Sequence, residues 1–343
     1  MSLFKVGMIG CGGRGNSHAA GYAASSDAEI VACADPKREN AESLAKKYDV
    51  PKIYEDYKEM LAEEDLDIVS VCVWTPFHKE IVIDAANSGV KGIHCEKPMA
   101  PTWGDAKALY QACVDNDVMI TFCHQRRFGA QFVKAKQLAN DGTIGQLYRM
   151  EGYCSNLIDW GTHWFDMMFF YNNDEPAEWV MGQIHCEQEG SVFGVPVENH
   201  GLSYIKWKNG VYGLLVTGGD TGGRCSNRLI GTDGIIELGA PNEPSPRVMR
   251  KGVSDWEAPS LTGVVSPVGD TTLSVLDLIH CLKTGREPEL SGRKALQATE
   301  LIFATYESSR KRERIYLPLE IEDSPLISMI ERRMVGSKKT GQQ

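Results

Sequence analysis

The chain has 343 residues, 42% of them hydrophobic and 24% charged, with a formal net charge of -10. That length corresponds to about two domains of ordinary size and allows a large core. The acidic balance, with a sequence pI near 5.4, argues against nucleic acid or an anionic membrane as the main partner.

The opening stretch, Met1 to Gly10, is broken by glycine too soon for a signal peptide. No run approaches the roughly 18 apolar residues of a spanning helix. Ten cysteines occur singly, with no Cys-x-x-Cys pair. Cys33, Cys72, Cys95 and Cys123 fall in or at the ends of expected core strands, which fits a reducing cytoplasm rather than a disulfide framework.

Leu3 to Ile9 is a short apolar run followed by Gly10-Cys11-Gly12-Gly13-Arg14-Gly15 and an alanine-rich helical stretch to about Ala24. This is Gly-x-Gly-x-x-Gly where it carries meaning, after a strand and opening a helix. Gly10 permits the tight turn, Gly12 lets backbone amides approach a pyrophosphate, and Gly15 lets helix and strand pack closely. Gly13 and Arg14 complete the expected cofactor loop, and the helix N-terminus adds its positive end. A second expected strand, Glu29 to Ala34, ends in Asp35, where a carboxylate accepts hydrogen bonds from a ribose diol. It also repels a 2′-phosphate, which favours NAD over NADP. Lys37 and Arg38 offset part of that repulsion, so NADP stays open and Arg38 joins the cofactor-binding candidates. A plain strand-ending turn at Asp35-Pro36 is the alternative.

Further βα units follow. Ile68 to Trp74 reads as a strand of the doubly covered, parallel type, ending at Thr75-Pro76. Glu80 to Asn87 reads as a helix, Gly92 to Cys95 as a strand ending at Glu96-Lys97-Pro98, Asp105 to Asp115 as a helix and Met119 to Cys123 as a strand. Alternation of this kind predicts a parallel sheet whose ligands bind beyond the carboxyl ends of its strands. Asp35, Thr75, Pro76, His78, Glu96, Lys97, His124 and Gln125 all occupy such ends.

From Leu147 the pattern changes. Asp159-Trp-Gly-Thr-His163-Trp-Phe-Asp166 sets two carboxylates and an imidazole at i, i+4 and i+7, one face of a helix that is otherwise apolar nearly all round. A buried polar stripe of this kind reads as an active-site wall; a core histidine bonded to Asp159 is the bland alternative. Alternating segments follow at Trp179–Cys186, Gly201–Trp207, Val211–Thr217, Arg228–Gly231 and Gly234–Leu238, with Lys208-Asn209-Gly210 as a hairpin turn. They predict an antiparallel sheet; His185, His200 and His280 have no partner spacing and read as structural. The glycine cluster 218–224 offers Asp220 and Arg224 as sugar contacts or a plain solvent loop. Residues 240–270 read as a loop, Thr271–Lys283 and Arg293–Arg312 as helices, and Ser324-Pro325 as the capped start of a short amphipathic helix.

Taken together, the glycine loop, Thr75-Pro76 with His78, Cys95-Glu96-Lys97-Pro98, Arg126-Arg127-Phe128, Gly142-Thr143-Ile144-Gly145 and Asp159-x-x-x-His163 resemble the Gfo/Idh/MocA (glucose–fructose oxidoreductase / inositol dehydrogenase) family. The resemblance spans Lys5 to about Pro318. It departs in the loop after Thr75-Pro76, which is two residues shorter than the commonest form. The resemblance implies an α/β architecture: a Rossmann doubly wound parallel sheet over 1–125 and, over 126–320, an α/β domain with a large, mostly antiparallel open sheet for substrate binding and oligomerisation. Residues 321–343 read as a tail with a short helix. It also implies an NAD(P)-dependent dehydrogenase of sugars, polyols or cyclitols, with Lys97, Asp159 and His163 at the family's catalytic positions. A large sheet with one exposed face makes a homo-oligomer, dimer or tetramer, plausible.

The chemistry agrees with those positions. Oxidising a secondary alcohol removes the hydroxyl proton as hydride leaves the carbon. Neutral His163 suits the base, Lys97 suits stabilisation of the alkoxide, and Asp159 suits fixing the histidine tautomer. Asp166 is a second-tier orienter, and Glu96 shapes its turn and meets the cofactor ribose. Asp159, His163 and Asp166 could also ligate zinc or manganese, but the spacing is not a recognised ligand pair and no metal is assigned. Two rivals remain: a glycoside-cleaving enzyme that uses NAD transiently, and a non-enzymatic dinucleotide sensor.

Overall fold

A computed structural model describes residues 3–188, 190–219 and 226–336. The chain divides into two units, residues 1–125 with 267–296 and residues 126–266 with 297–343.

In the first unit strands and helices alternate: β1 (Phe4–Ile9), α1 (Gly13–Ala23), β2 (Ala28–Ala34), α2 (Arg38–Tyr48), β3 (Lys52–Tyr54), α3 (Tyr57–Glu63), β4 (Ile68–Val71), α4 (His78–Asn87), β5 (Gly92–Cys95), α5 (Trp103–Asp115) and β6 (Met119–Phe122). The six strands pair in parallel in the order β3-β2-β1-β4-β5-β6. That order reverses between β1 and β4, which opens a ligand crevice at their carboxyl ends. β4 and β5 are buried at every position, as strands covered on both faces must be. β4 ends at Val71, earlier than its apolar run suggests, because its pairing with β1 ends at Ile9↔Val71 and a 3-10 turn over Thr75–Phe77 follows.

The second unit opens with α6 (Ala130–Asn140), β7 (Leu147–Cys154), a π turn over Leu157–Gly161 and α7 (Thr162–Tyr171). β8 (Ala177–His185), the β9–β10 hairpin (Gly190–Val192, Val195–Val197), β11 (His200–Trp207), β12 (Tyr212–Thr217), β13 (Asn227–Gly231), β14 (Gly234–Leu238) and β15 (Arg247–Arg250) follow. β15 lies inside the stretch expected as loop, where its pairing with β14 supplies the order that composition does not show.

The segment 267–296, expected in the second domain, belongs to the first unit, which corrects the anticipated 126–320 span. It carries α8 (Asp270–Thr284), which lies so close to α1 that a Cβ on Gly21 would stand 2.9 Å from Val275. Beyond α8 the chain bonds to β6 through Phe122 N–H and the Leu290 carbonyl, at 3.1 Å.

α9 (Gly292–Lys311), β16 (Ile315–Tyr316) and α10 (Pro325–Glu331) complete the chain. The sheet of the second unit runs β15-β14-β13-β7-β12-β11-β8-β16, antiparallel except between β12 and β7. Small polar residues of α9 fasten to it: Thr305 bonds Ser203 at 2.8 Å, and Ser308 accepts the Gly182 N–H at 2.8 Å. Ser324 caps α10, whose Leu326 and Met329 are each 1% exposed. The apolar side of that helix is therefore spent within the chain.

Candidate active site

In the first unit the glycine loop shows its purpose in steric terms. Gly10 has φ +89, and a Cβ there would lie 2.5 Å from the Cys72 carbonyl. A Cβ on Gly15 would stand 2.1 Å from the Gly10 carbonyl, so only glycine lets α1 leave the sheet here. On the open side, a Cβ on Gly12 or Gly13 meets nothing within 4 Å. The first helical bond runs from Asn16 N–H to the Gly12 carbonyl, and no side chain caps α1 at Gly12. Its leading amides are thus placed as an anion site, and no acidic residue of the first turn competes. These features fit a dinucleotide pyrophosphate.

Asp35 is 8% exposed and fixes the loop: Oδ2 accepts the Cys11 N–H at 2.9 Å and Oδ1 the Lys37 N–H at 2.9 Å. Asn40 Nδ2 also donates to both oxygens, at 3.3 and 3.4 Å, a long forked contact that a ribose diol can replace. Arg38 stands at the start of α2. It is exposed and paired to Glu42 and Glu55, at 2.8 and 3.2 Å, because the start of α2 places it one turn before Glu42.

At the end of β5, Glu96 is 5% exposed. Its Oε1 accepts from Arg14 Nε at 2.5 Å and from His18 Nε2 at 2.9 Å, and its Oε2 from the Lys97 N–H at 3.2 Å. Burial pushes this carboxyl up, but the His18 hydrogen bond and the Arg14 guanidinium outweigh it and hold it well below the usual carboxylate range. Arg14 and Glu96 are therefore partners of each other, and Lys97, half-buried, begins from an anchored backbone. Gln125 accepts from the Cys123 thiol at 3.8 Å.

His78 is fully buried, with Nδ1 3.3 Å from the Met99 carbonyl and Nε2 3.1 Å from the Val73 carbonyl. Burial lowers its pKa. Both ring nitrogens thus face backbone carbonyls, and the side chain ties the segments after β4 and β5 together. Thr75 is 1% exposed, and its hydroxyl has no hydrogen-bond partner among the described residues. Pro76 lies on the surface beside Trp74 and Phe77, which are 63% and 56% exposed. Two large rings at a strand end offer stacking surface that the hydrophobic pattern disguised as core.

Behind Glu96 lies a buried cluster that sequence spacing did not reveal. Ligand-type atoms of His18, His94 and Cys123 lie within 4.8 Å of one another. A consistent set of protons runs through it. Thr121 OH donates to His94 Nδ1 (2.8 Å), His94 Nε2–H to Ser274 (3.2 Å), and Ser274 OH to the Thr271 carbonyl (2.6 Å). Ser70 OH serves His18 Nδ1 at 2.9 Å, and Arg14 lies 3.4 Å from the Cys123 sulfur. Burial, then His18, lowers the His94 pKa far below its ordinary value. Hydrogen bonding explains this cluster.

In the second unit, Asp159 does not share one α-helical face with His163 and Asp166. Gly161 N–H bonds the Asn156 carbonyl at 2.8 Å, an i to i−5 closure, and α-helix begins only at Thr162. Asp159 belongs to that π turn, and Asn156 Oδ1 accepts its N–H at 2.8 Å. Such turns recur at functional sites. His163 is 4% exposed, and its ring lies 6.4 Å from that of Trp160, which is 42% exposed. Asp166, 1% exposed, is claimed by Arg127. Arg126 stacks on Trp160 and Trp164, 5.0 and 4.6 Å from their ring centres. Asp220 and Arg224 lie outside the described residues.

Comparison with known proteins agrees with this architecture. Residues 4–124 match the model of an oxidoreductase family with an NAD-binding Rossmann fold, Gfo/Idh/MocA, and residues 152–319 match its C-terminal alpha/beta domain. The chain is 25% identical to D-apiose dehydrogenase of Paraburkholderia graminis, over 95% of this chain and 92% of that protein. It is likewise 25% identical to myo-inositol 2-dehydrogenase of Thermotoga maritima, over 91% and 98%. Among solved structures, a levoglucosan dehydrogenase in complex with NADH and levoglucosan superposes with a TM-score of 0.79 at 20% identity, covering 93% of this chain and all (100%) of that one.

Proposed function

The chain belongs to the Gfo/Idh/MocA oxidoreductase family, and on that premise we propose that it is an NAD-dependent dehydrogenase acting on a secondary hydroxyl of a sugar, sugar acid or cyclitol. The observation that carries this is the pairing, at the carboxyl end of one parallel sheet, of an uncapped α1 behind Gly12 and Gly13 with Lys97 anchored through Glu96. Similarity to sugar and cyclitol dehydrogenases supports the substrate class.

The amides opening α1 hold the pyrophosphate, Asp35 holds the adenosine ribose, and its charge favours NAD over NADP. NAD, when bound, accepts the hydride. Lys97 donates a hydrogen bond to the substrate oxygen and stabilises the alkoxide, His163 takes the hydroxyl proton at an imidazole nitrogen, and Asp159 orients the base or a neighbouring hydroxyl. The test is NADH formation from a panel of myo-inositol, D-apiose and levoglucosan. Product release without net NADH would favour a glycoside-cleaving cycle, and NAD binding without any turnover would favour a sensor.

The protein acts as a homo-oligomer in this proposal. β8, β11 and β16 present Met181, Leu202, Tyr204 and Tyr316, which are 50%, 44%, 36% and 61% exposed. Tyr204 stacks on Tyr212 of β12 at 5.4 Å, making a continuous aromatic face. A second copy can cover such a face with the same face. Tyr204→Glu should lower the mass measured by light scattering; an unchanged mass, or a monomeric wild type, would remove this part. The buried thiols of the first unit and the lack, among the described residues, of a helix long and apolar enough to cross a membrane accord with a cytoplasmic location.

A further inference from the structure

We propose that Glu198, which no sequence pattern marks, is a positioning residue that holds the Leu157–Gly161 π turn in the shape that presents Asp159 and His163. The inference rests on the roles assigned to those two residues above. Glu198 lies in the link between β10 and β11 and is 1% exposed. Its Oε1 accepts the Leu157 N–H at 2.6 Å and the Thr217 hydroxyl at 3.0 Å; its Oε2 accepts the Tyr306 hydroxyl at 2.7 Å. One carboxyl group therefore joins the first amide of the turn to the end of β12 and to the C-terminal half of α9.

The leading amides of a helical turn have no carbonyl within the turn to bond, and buried ones need an outside acceptor. Here two side chains divide that work: Asn156 takes the Asp159 N–H, and Glu198 takes the Leu157 N–H. Fixing Leu157 fixes the register at which Gly161 bonds back to Asn156, and hence the rotation of Asp159 relative to α7. A buried carboxyl group is costly to desolvate. Burial pushes this one up to about 7, against the opposing hydrogen bonds of Tyr306, Leu157 and Thr217. A carboxyl held there by three donors is an expensive choice for mere volume filling, and its contact with the catalytic turn gives it a purpose.

The experiment uses the full chain. Glu198→Met keeps volume and removes the acceptor, and Glu198→Gln keeps a carbonyl acceptor for the Leu157 N–H. On whichever panel sugar the wild type oxidises with NAD, the Met variant should lose about tenfold or more in kcat. Its KM for NAD should stay within about twofold, and the Gln variant should recover most of kcat. Hydrogen exchange should speed up in Glu198→Met over residues 156–163 and stay unchanged over β13 and β14. If Glu198→Met does not fold, adding Tyr306→Phe removes the hydroxyl left unpaired and allows the same measurements. Unchanged exchange over 156–163, or equal loosening of the whole sheet without rescue by Gln, overturns the proposal. A wild type inert on every sugar instead counts against the assigned chemistry, and exchange alone then decides the role of Glu198.

Discussion

Arg127 donates from Nε to both carboxylate oxygens of Asp166, at 3.0 and 2.9 Å, inside a unit where both side chains are almost completely buried. Arg127 also reaches Asp174 at 2.8 Å. This clamp joins the segment after Gln125 to α7 and takes Asp166 out of the set of groups available for chemistry. A buried charge left without its partner costs about 3–5 kcal/mol. Asp166→Ala leaves Arg127 with Asp174 as its carboxylate partner, so unfolding free energy in urea titrations should fall, by up to about that amount. Asp166→Leu with Arg127→Met should recover much of the loss. A single variant as stable as wild type would contradict the clamp.

The glycine loop separates two costs that are usually confounded. Gly15→Ala places a methyl group 2.1 Å from the Gly10 carbonyl, so both thermal stability and NAD binding should fall. Gly12→Ala meets nothing in the protein itself. Its stability should stay within about 0.5 kcal/mol of wild type, while NAD affinity, read by calorimetry, drops because the methyl group occupies phosphate space. Equal NAD affinity in Gly12→Ala and wild type would move the pyrophosphate elsewhere.

Glu198 gives stability a definite pH dependence. Its carboxyl is at about 7 in the fold, against an ordinary value of 4.5. Between those values the folded protein binds more protons than the unfolded chain, so this group's contribution to stability falls as pH rises through that window. The total change is about 3 kcal/mol. Glu198→Gln does not titrate, so its Tm relative to wild type should climb from pH 5 to pH 8 (about the window's span). His94, held neutral by burial, acts at the acid end in the opposite sense: its contribution is lost as pH falls below its unfolded value. A flat difference between Glu198→Gln and wild type would show that Glu198 ionises as freely as a surface acid.

Local chemistry made much of this legible in the sequence. Gly10 and Gly15 answer to steric demands that no other residue meets, and the strand-helix alternation around them follows from side-chain period. Long-range contacts hid the rest. Nothing near Asp270 announces that α8 packs against Gly21, because that depends on a neighbour distant in sequence. Asp159 looked like the first member of an α-helical stripe, yet the bond from Gly161 to Asn156 and the caps from Asn156 and Glu198 select a wider turn. His78 sits at a strand end like a cofactor contact, and only the fold shows the carbonyls of Val73 and Met99 around it.

The assignment of Lys97 is tested most directly by NADH formation in wild type and Lys97→Met on the same sugar panel, with NAD binding measured alongside. The wild type should reduce NAD with at least one of these hydroxyl substrates. The variant should still bind NAD but lose about 10²-fold or more in kcat, the scale expected when a donor to a developing oxyanion is removed. A Lys97→Met enzyme working within a few-fold of wild type would contradict the account.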